Sequence, residues 1–159
     1  IRAPPRPTRC PYPPPFRPEA GRAVVGALKD GTIAAIASDH APQDQDSKRV
    51  PFTQAEFGMV GLETLLPLAL ELHHNGHLGL LDLLAKMTCN PADLLGLPGG
   101  RLAKGAAADM VLFDLAKPWL IEERKLRSKS KNSPFDGRPV QGRVLLTVVD
   151  GRAVHRDGE

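Results

Sequence analysis

Half of the chain's 16 prolines stand in residues 1–18, and no other feature restricts the fold so strongly. Proline lacks a backbone N–H and fixes φ, which excludes this segment from helices and central strands. We therefore expect a proline-rich irregular arm over 1–18, with a ligand for a proline-recognising domain as its functional alternative. Because the arm also begins without Met, we expect the chain to be a fragment or to have an artefactual start.

Charge, hydropathy and cysteine content narrow the classes of function. Beyond residue 18 the chain carries 17 basic and 18 acidic residues, so a basic face for nucleic acid is not expected. No apolar run approaches the roughly 20 residues that a membrane-spanning helix needs. The two cysteines, Cys10 and Cys89, cannot make a disulfide framework, which favours a reducing compartment and hence the cytoplasm.

The middle of the chain alternates helical and strand-like patterns. Residues 22–29 have a helical pattern, and the apolar run TIAAIA at 32–37 is typical of a buried strand. A helix is predicted over 62–75, and because proline is poorly tolerated inside a helix it either kinks at Pro67 or begins near Leu66. A second helix is predicted over 80–88, and a short one follows Asn90, which is predicted to cap it. This alternation predicts an α/β fold with a parallel sheet.

The pattern changes after Pro98, where short β-type runs replace the helices. We place a domain boundary near Leu97, so that residues 19–97 and 98–159 form separate parts. Asp150-Gly151 is a hairpin turn signal within the second part, which is predicted to be a β-rich subdomain. The β-type runs cover residues 110–113, 119–121 and 144–149.

One polar motif and one histidine cluster are candidate sites. Asp39, within SDHAP at 38–42, follows the predicted strand, where barrel enzymes carry their catalytic groups. It is either a catalytic or metal-binding carboxylate or a simple turn cap. His73 and His77 have a spacing that zinc helices use, but Gly76 between them favours a solvated helix end.

Several segments together resemble the bacterial, metal-dependent dihydroorotases of the amidohydrolase superfamily. The order and spacing of these segments carry the resemblance, which extends over residues 14–154. The segments are DGTI at 30–33, ASDHAP at 37–42, residues 48–52, FGMVGLET at 57–64, NPA at 90–92, GRLAKGAAADMVLF at 100–113, residues 129–135 and residues 142–151.

The resemblance implies the last part of a (β/α)8 barrel over residues 19–97, followed by a small β-rich composite subdomain. It implies an enzyme of pyrimidine (UMP) biosynthesis that reversibly cyclises N-carbamoyl-L-aspartate to (S)-dihydroorotate. The resemblance also implies one or two zinc ions in the complete barrel, with Asp39 as a metal ligand and general acid/base. Phe57 and Gly58 match a pair that contacts the substrate, and Gln43 stands where the family has a carboxylate-binding His.

Three departures from the family pattern limit what the chain is expected to do alone. Gln43 can donate a hydrogen bond but carries no positive charge, and Pro13 replaces the Asn of an Asn-Pro-Pro-x-Arg motif. The family's early His-x-His, carboxylated Lys and two later His ligands have no counterpart here. A catalytic zinc needs three protein ligands or more, so Asp39 cannot hold one and the isolated chain is expected to be inactive.

A non-catalytic, dihydroorotase-like scaffold is the alternative to an enzyme. Some relatives of the family are inactive partners of aspartate transcarbamoylase, and Gln43 is neutral or favours that group. The presence of Asp39 favours the enzymes. The partners that the resemblance implies are a small-molecule substrate together with a homo-oligomer or aspartate transcarbamoylase.

Overall fold

A computed structural model describes residues 18–158 of the chain. The described residues divide into two compact units, residues 18–33 and residues 34–158. The predicted arm over 1–18 lies outside the described residues apart from Pro18, and so does the motif position Pro13. The helices that follow residue 44 and the β-rich region share the second unit, and the boundary near Leu97 stays a prediction. No helix among the described residues is long and apolar enough to cross a membrane.

The first unit contains helix α1, Pro18–Lys29, which starts four residues before the predicted segment 22–29. Proline is well suited to the first position of a helix, where its missing N–H would have no helical partner. Glu19 in the first turn and Lys29 in the last turn complement the helix dipole. The Asp30 carboxylate accepts a hydrogen bond from the Thr32 N–H at 2.9 Å and shapes the turn that ends the helix.

The prediction of a buried strand at 32–37 is wrong. Residues 34–39 form no β-ladder, and their side chains are exposed or half-buried. The Ile36 N–H donates to the Lys86 carbonyl at 2.9 Å, so this backbone bonds to a helix end rather than to a strand. A central parallel strand needs partners on both edges, and the described part of the chain offers only one parallel bridge nearby, between His40 and Met59.

Four helices occupy the first half of the second unit. The predicted helix at 62–75 is present as α3, which starts at Leu65, close to the predicted start near Leu66. Pro67 therefore stands in the first turn, where its missing N–H has no helical partner. The helix predicted at 80–88 ends at Ala85, and Thr88, not Asn90, is the N-cap of the next helix. The helices are α2 Gln45–Lys48, α3 Leu65–His74, α4 Leu80–Ala85 and α5 Cys89–Leu94, with short 3₁₀ turns at Phe52–Gln54 and Glu123–Lys125.

The second half of this unit is an antiparallel sheet, as the β-type runs predicted. Its strands, in the order β1-β2-β3, are β1 Met110–Leu120, β2 Pro139–Val149 and β3 Arg152–Arg156. The hairpin predicted at Asp150-Gly151 is confirmed, and both residues have positive φ, 48° and 73°. The first two predicted runs belong to one long strand, β1, which is irregular between Asp114 and Pro118.

The core of this unit lies where α3 meets α4 and β2. The side chains of Leu70, Leu83 and Ile121 are fully excluded from solvent. α3 lies so close to β2 that a Cβ on Gly142 would overlap the side chain of Leu70. Val60, only 3% exposed, is also buried, and its N–H donates to the Asn132 carbonyl at 3.2 Å.

Side-chain interactions of one carboxylate and one indole stabilise the end of the sheet. Asp157 accepts hydrogen bonds from Lys117 Nζ and Arg143 Nε, each at 2.9 Å. These two cations lower the pKa of Asp157 to about 2. The Trp119 indole N–H donates to the Gly142 carbonyl at 3.0 Å, and the Arg143 guanidinium lies 4.9 Å from the centre of the indole ring.

Candidate functional site

Asp39 stands at the exposed end of the extended segment 34–39. Its φ of 45° lies in the left-handed region, which Asp tolerates better than most residues. The side chain of Asp39 is exposed to solvent, and its backbone lies in no helix. A carboxylate in this setting can exchange protons with a molecule outside the chain.

The residue after Asp39 connects it to a second loop. His40 and Met59 form a parallel bridge, and the Ala41 N–H donates to the Met59 carbonyl at 2.9 Å. His40 Nδ1 accepts a hydrogen bond from the Gly61 N–H at 3.0 Å, so the neutral ring carries its proton on Nε2. His40 therefore holds the loop 57–61 beside Asp39.

Asn132 joins the same two loops from a third segment of the chain. Its Nδ2 donates to the carbonyls of Ala41 at 3.0 Å and Gly58 at 3.2 Å. Its Oδ1 accepts from the Gln43 N–H at 3.2 Å, and its backbone carbonyl accepts from the Val60 N–H at 3.2 Å. We call Asn132 with these four partners the amide clamp. Both functions of one carboxamide, donor and acceptor, are used in it.

The side chain of Gln43 bonds within the protein. Its Nε2 donates to the Phe57 carbonyl at 2.9 Å, and the Phe57 side chain itself is 89% exposed. Gly58 has a φ of 112°, and a Cβ there would stand 2.5 Å from the Cβ of Ala41, so only glycine permits this approach of the loops. The structure thus brings together Gln43, Phe57 and Gly58, three of the residues predicted to lie at the site.

Lys48 provides a further brace for the loop that contains Phe57. Its Nζ donates to the carbonyls of Glu56 at 2.7 Å and Gly58 at 3.2 Å. Lys48 is the last residue of α2, whose N-cap Asp44 accepts from the Ser47 N–H at 2.8 Å. This hydrogen bond lowers the pKa of Asp44 and keeps its carboxylate ionised.

A cleft of about 630 Å³ opens beside Gln43, Gly58 and Asn132. Three cationic and two acidic side chains line it, so a small carboxylate would meet an excess of positive charge there. The charged lining residues are Lys48, Arg49, Lys131, Asp44 and Glu123.

The residues described here do not fit a catalytic metal by themselves. Residues 18–158 contain no group of three or more His, Cys, Asp or Glu side chains that could hold a metal ion. Asp39 supplies one carboxylate, whereas a catalytic zinc needs about three protein ligands. In the histidine cluster, His73 Nδ1 lies 3.2 Å from the Leu78 carbonyl and takes part in a local hydrogen bond after α3.

Sequence reasoning identified Asp39 and Gln43 but missed Asn132 and Lys48. Both missed residues lie in segments that carried the resemblance, residues 129–135 and 48–52, and this was the available signal. A single polar residue in a loop shows no periodicity that would reveal its role. The role of Asn132 depends on backbone groups that lie 74 to 91 positions away in the sequence.

The amidohydrolase family model matches residues 17–154 of the chain. A dihydroorotase of the Wolbachia of Drosophila simulans is 54% identical over 143 residues, which cover 89% of this chain and 32% of that protein. The dihydroorotase of Anaplasma phagocytophilum is 53% identical over 144 residues, with 90% and 32% covered. The chain therefore spans about a third of the length of these curated relatives.

Solved structures of a hydantoinase and a dihydropyrimidinase superpose on the chain. The L-hydantoinase (dihydropyrimidinase) of Arthrobacter aurescens gives a TM-score of 0.82 at 34% identity and covers 89% of this chain and 33% of its own. The dihydropyrimidinase of Brevibacillus agri gives 0.83 at 26% identity, with 93% and 34% covered. These superpositions indicate an amidohydrolase (β/α)8 fold, of which the described residues form an α/β part.

Proposed function

Because the chain belongs to the amidohydrolase family, we propose that it is the part of a dihydroorotase that carries Asp39. The reaction is the reversible cyclisation of N-carbamoyl-L-aspartate to (S)-dihydroorotate, in the cytoplasm, as a step of pyrimidine biosynthesis. The observation that carries the proposal is the 54% identity with the Wolbachia dihydroorotase over 143 residues.

Asp39 is the proposed general acid/base. In the hydrolytic direction such a group takes a proton from the attacking water and returns it to the ring nitrogen that leaves, and cyclisation reverses these transfers. The exposure of Asp39 beside the bridged loops supports this role. Positioned proton transfer contributes about 10²- to 10⁴-fold to a rate.

The amide clamp and its neighbours form the proposed substrate side of the site. The resemblance assigns Phe57 and Gly58 to substrate contact through their backbone, and Gln43 holds this backbone at the Phe57 carbonyl. Gln43 contributes by bracing this backbone, and any direct contact with a substrate carboxylate is a neutral hydrogen bond.

Zinc, as one or two ions, is the metal proposed for the complete enzyme. Asp39 is the ligand that this chain would supply. Residues 18–158 contain no group of three or more potential ligands, so the other ligands would come from elsewhere in the complete enzyme. The proposed macromolecular partners remain a second copy of the enzyme or aspartate transcarbamoylase.

The test is hydrolysis of dihydroorotate, with zinc present, by the purified chain and by its mixture with the part of the Wolbachia dihydroorotase that it does not cover. The chain alone should show no turnover, because general acid/base catalysis alone falls short of the roughly 10⁶-fold acceleration that enzymes reach. The mixture should be active, and Asp39→Ala should abolish its activity. Asp46→Ala, which removes an exposed carboxylate of α2, is the matched control and should keep it.

Two outcomes would contradict the proposal that this chain is one part of an active dihydroorotase. Zinc-dependent turnover by the chain alone that disappears in Asp39→Ala would show that its own residues complete the site. An assembled but inactive mixture would favour the non-catalytic scaffold, with which the uncharged Gln43 in place of the family's His is also consistent. In that case Gln43→His, which restores the residue type of the family, is the variant expected to regain activity.

A further inference from the structure

We propose that Asn132 is the positioning residue that sets the register of the two site loops, residues 40–43 and 57–60. Its side chain bonds to Ala41 and Gln43 in the first loop and to Gly58 in the second. Asn132 itself lies on a third segment, so its side chain joins the two loops from outside both of them.

The loops need such a residue because their own backbone pairing is short. Within the described residues one parallel bridge joins them, His40 to Met59, with the bond from the Ala41 N–H to the Met59 carbonyl. Parallel pairing is weak per residue, and one bridge does not specify register. Asn132 Nδ2 donates to the carbonyls of Ala41 and Gly58, which adjoin that bridge on either strand.

Only a carboxamide satisfies all three partners at once. Two carbonyl oxygens require donors, and the Gln43 N–H requires an acceptor. An Asp side chain would offer acceptors only, and a Lys side chain would offer donors only. The chemistry of position 132 is therefore dictated by the loops that it joins.

This register fixes the backbone of the proposed substrate contacts. The Gln43 N–H bonds to Asn132 while the Gln43 side chain bonds to the Phe57 carbonyl, so a shift of either loop would displace Phe57 and Gly58. The link between this register and substrate binding rests on the proposed function. The register itself can be measured without any activity.

The experiment is amide hydrogen exchange, followed by NMR, on the whole chain with Asn132→Ala. Exchange at Ala41 and Gln43 should accelerate by about tenfold or more, as expected for the loss of hydrogen bonds that hold a locally opening segment. Exchange in β2 should be unchanged. Asn90→Ala is the matched control, because it removes a similar amide, which donates to the Ala34 carbonyl at 2.9 Å, away from the two loops.

Asn132→Asp separates positioning from general support of the fold. It keeps an acceptor for the Gln43 N–H but places a carboxylate against the carbonyls of Ala41 and Gly58. Exchange should therefore slow again at Gln43 and stay fast at Ala41. The proposal would be overturned if amide exchange accelerated equally in β2 or if both variants lost the fold. It would also be overturned if the loops of Asn132→Ala exchanged no faster than those of Asn90→Ala.

A kinetic measurement connects the register to the substrate. In the active mixture described above, Asn132→Ala should raise the KM for dihydroorotate by about tenfold with a smaller fall in kcat, since it disturbs binding groups and leaves Asp39 in place. An unchanged KM would overturn the positioning role toward substrate. If the unmodified mixture is inactive, the proposed function fails, and the exchange data still decide whether Asn132 sets the register.

Discussion

The sheet and the loops of the candidate site lie in the same compact unit but are held together in different ways. β1 and β2 pair through a ladder from Met110–Val148 to Leu120–Pro139, so most of their order comes from backbone hydrogen bonds. The site loops share one bridge and depend on the side chains of Asn132, Gln43 and Lys48.

This difference predicts that the sheet tolerates substitution better than the site loops do. A backbone ladder survives most side-chain changes, whereas a loop that is braced by side chains loses its order when one of them is removed. The same contrast separates stability from function, because the proposed substrate contacts stand in loops that are joined by a single backbone bridge.

The largest effect should follow from breaking the junction of α3 with the sheet. Leu70→Ala removes a fully buried side chain that lies against Gly142, and it should lower the free energy of unfolding by about 2–5 kcal/mol. Leu81→Ala, at an 80% exposed position of α4, should change it by less than about 0.5 kcal/mol. Urea denaturation measures both, and equal losses in the two variants would disprove the assigned core.

A smaller effect is expected from the site loops. Gly58→Ala places a Cβ 2.5 Å from the Cβ of Ala41 at a φ of 112°, and should lower the unfolding free energy by about 1–3 kcal/mol. Gly76→Ala is matched in positive φ, 70°, but has open space around it, so it reports backbone strain alone, about 1 kcal/mol. Gly58→Ala should also accelerate amide exchange at Ala41, and Gly76→Ala should not. Identical exchange in the two would contradict the close approach of the loops.

The smallest effect concerns acid and the end of the sheet. The pKa of Asp157 is about 2, below its ordinary 3.8, so the stabilisation from its ionised form is complete above 3.8 and is lost as the pH falls toward 2. Asp157→Asn should remove this pH dependence. Between pH 3.8 and about pH 2 the variant should therefore lose less stability than the unmodified protein. Acid titration followed by circular dichroism is the measurement, with Asp82→Asn on α4 as the control. A variant with unchanged acid sensitivity would exclude Asp157 as the responsible group.

The sheet was predictable from sequence because its signals are local. The β-type run at 144–149 and the Asp150-Gly151 turn need only short-range patterns, and the structure confirms both. The run at 32–37 has an equally good strand pattern, yet it forms no ladder. A strand is defined by its partners, and pattern alone does not supply them.

The site was predictable only in part, for a related reason. The resemblance identified Gln43 as a site residue, but the bond from its side chain to the Phe57 carbonyl depends on how two loops fold against each other. Asn132 depends on three segments at once. Residue type and order reveal which chemistry a position can perform, and the folded backbone decides which partners it meets.

The setting of Trp119 has a consequence for how the molecule can be observed. It is the only tryptophan of the chain, and its indole is hydrogen-bonded to Gly142 and stacked near Arg143. Its emission spectrum will therefore follow the solvent exposure of the sheet, while the loops around Phe57 contribute no indole signal. Comparing this fluorescence with amide exchange at Ala41 would reveal whether the loops open while the sheet is still intact.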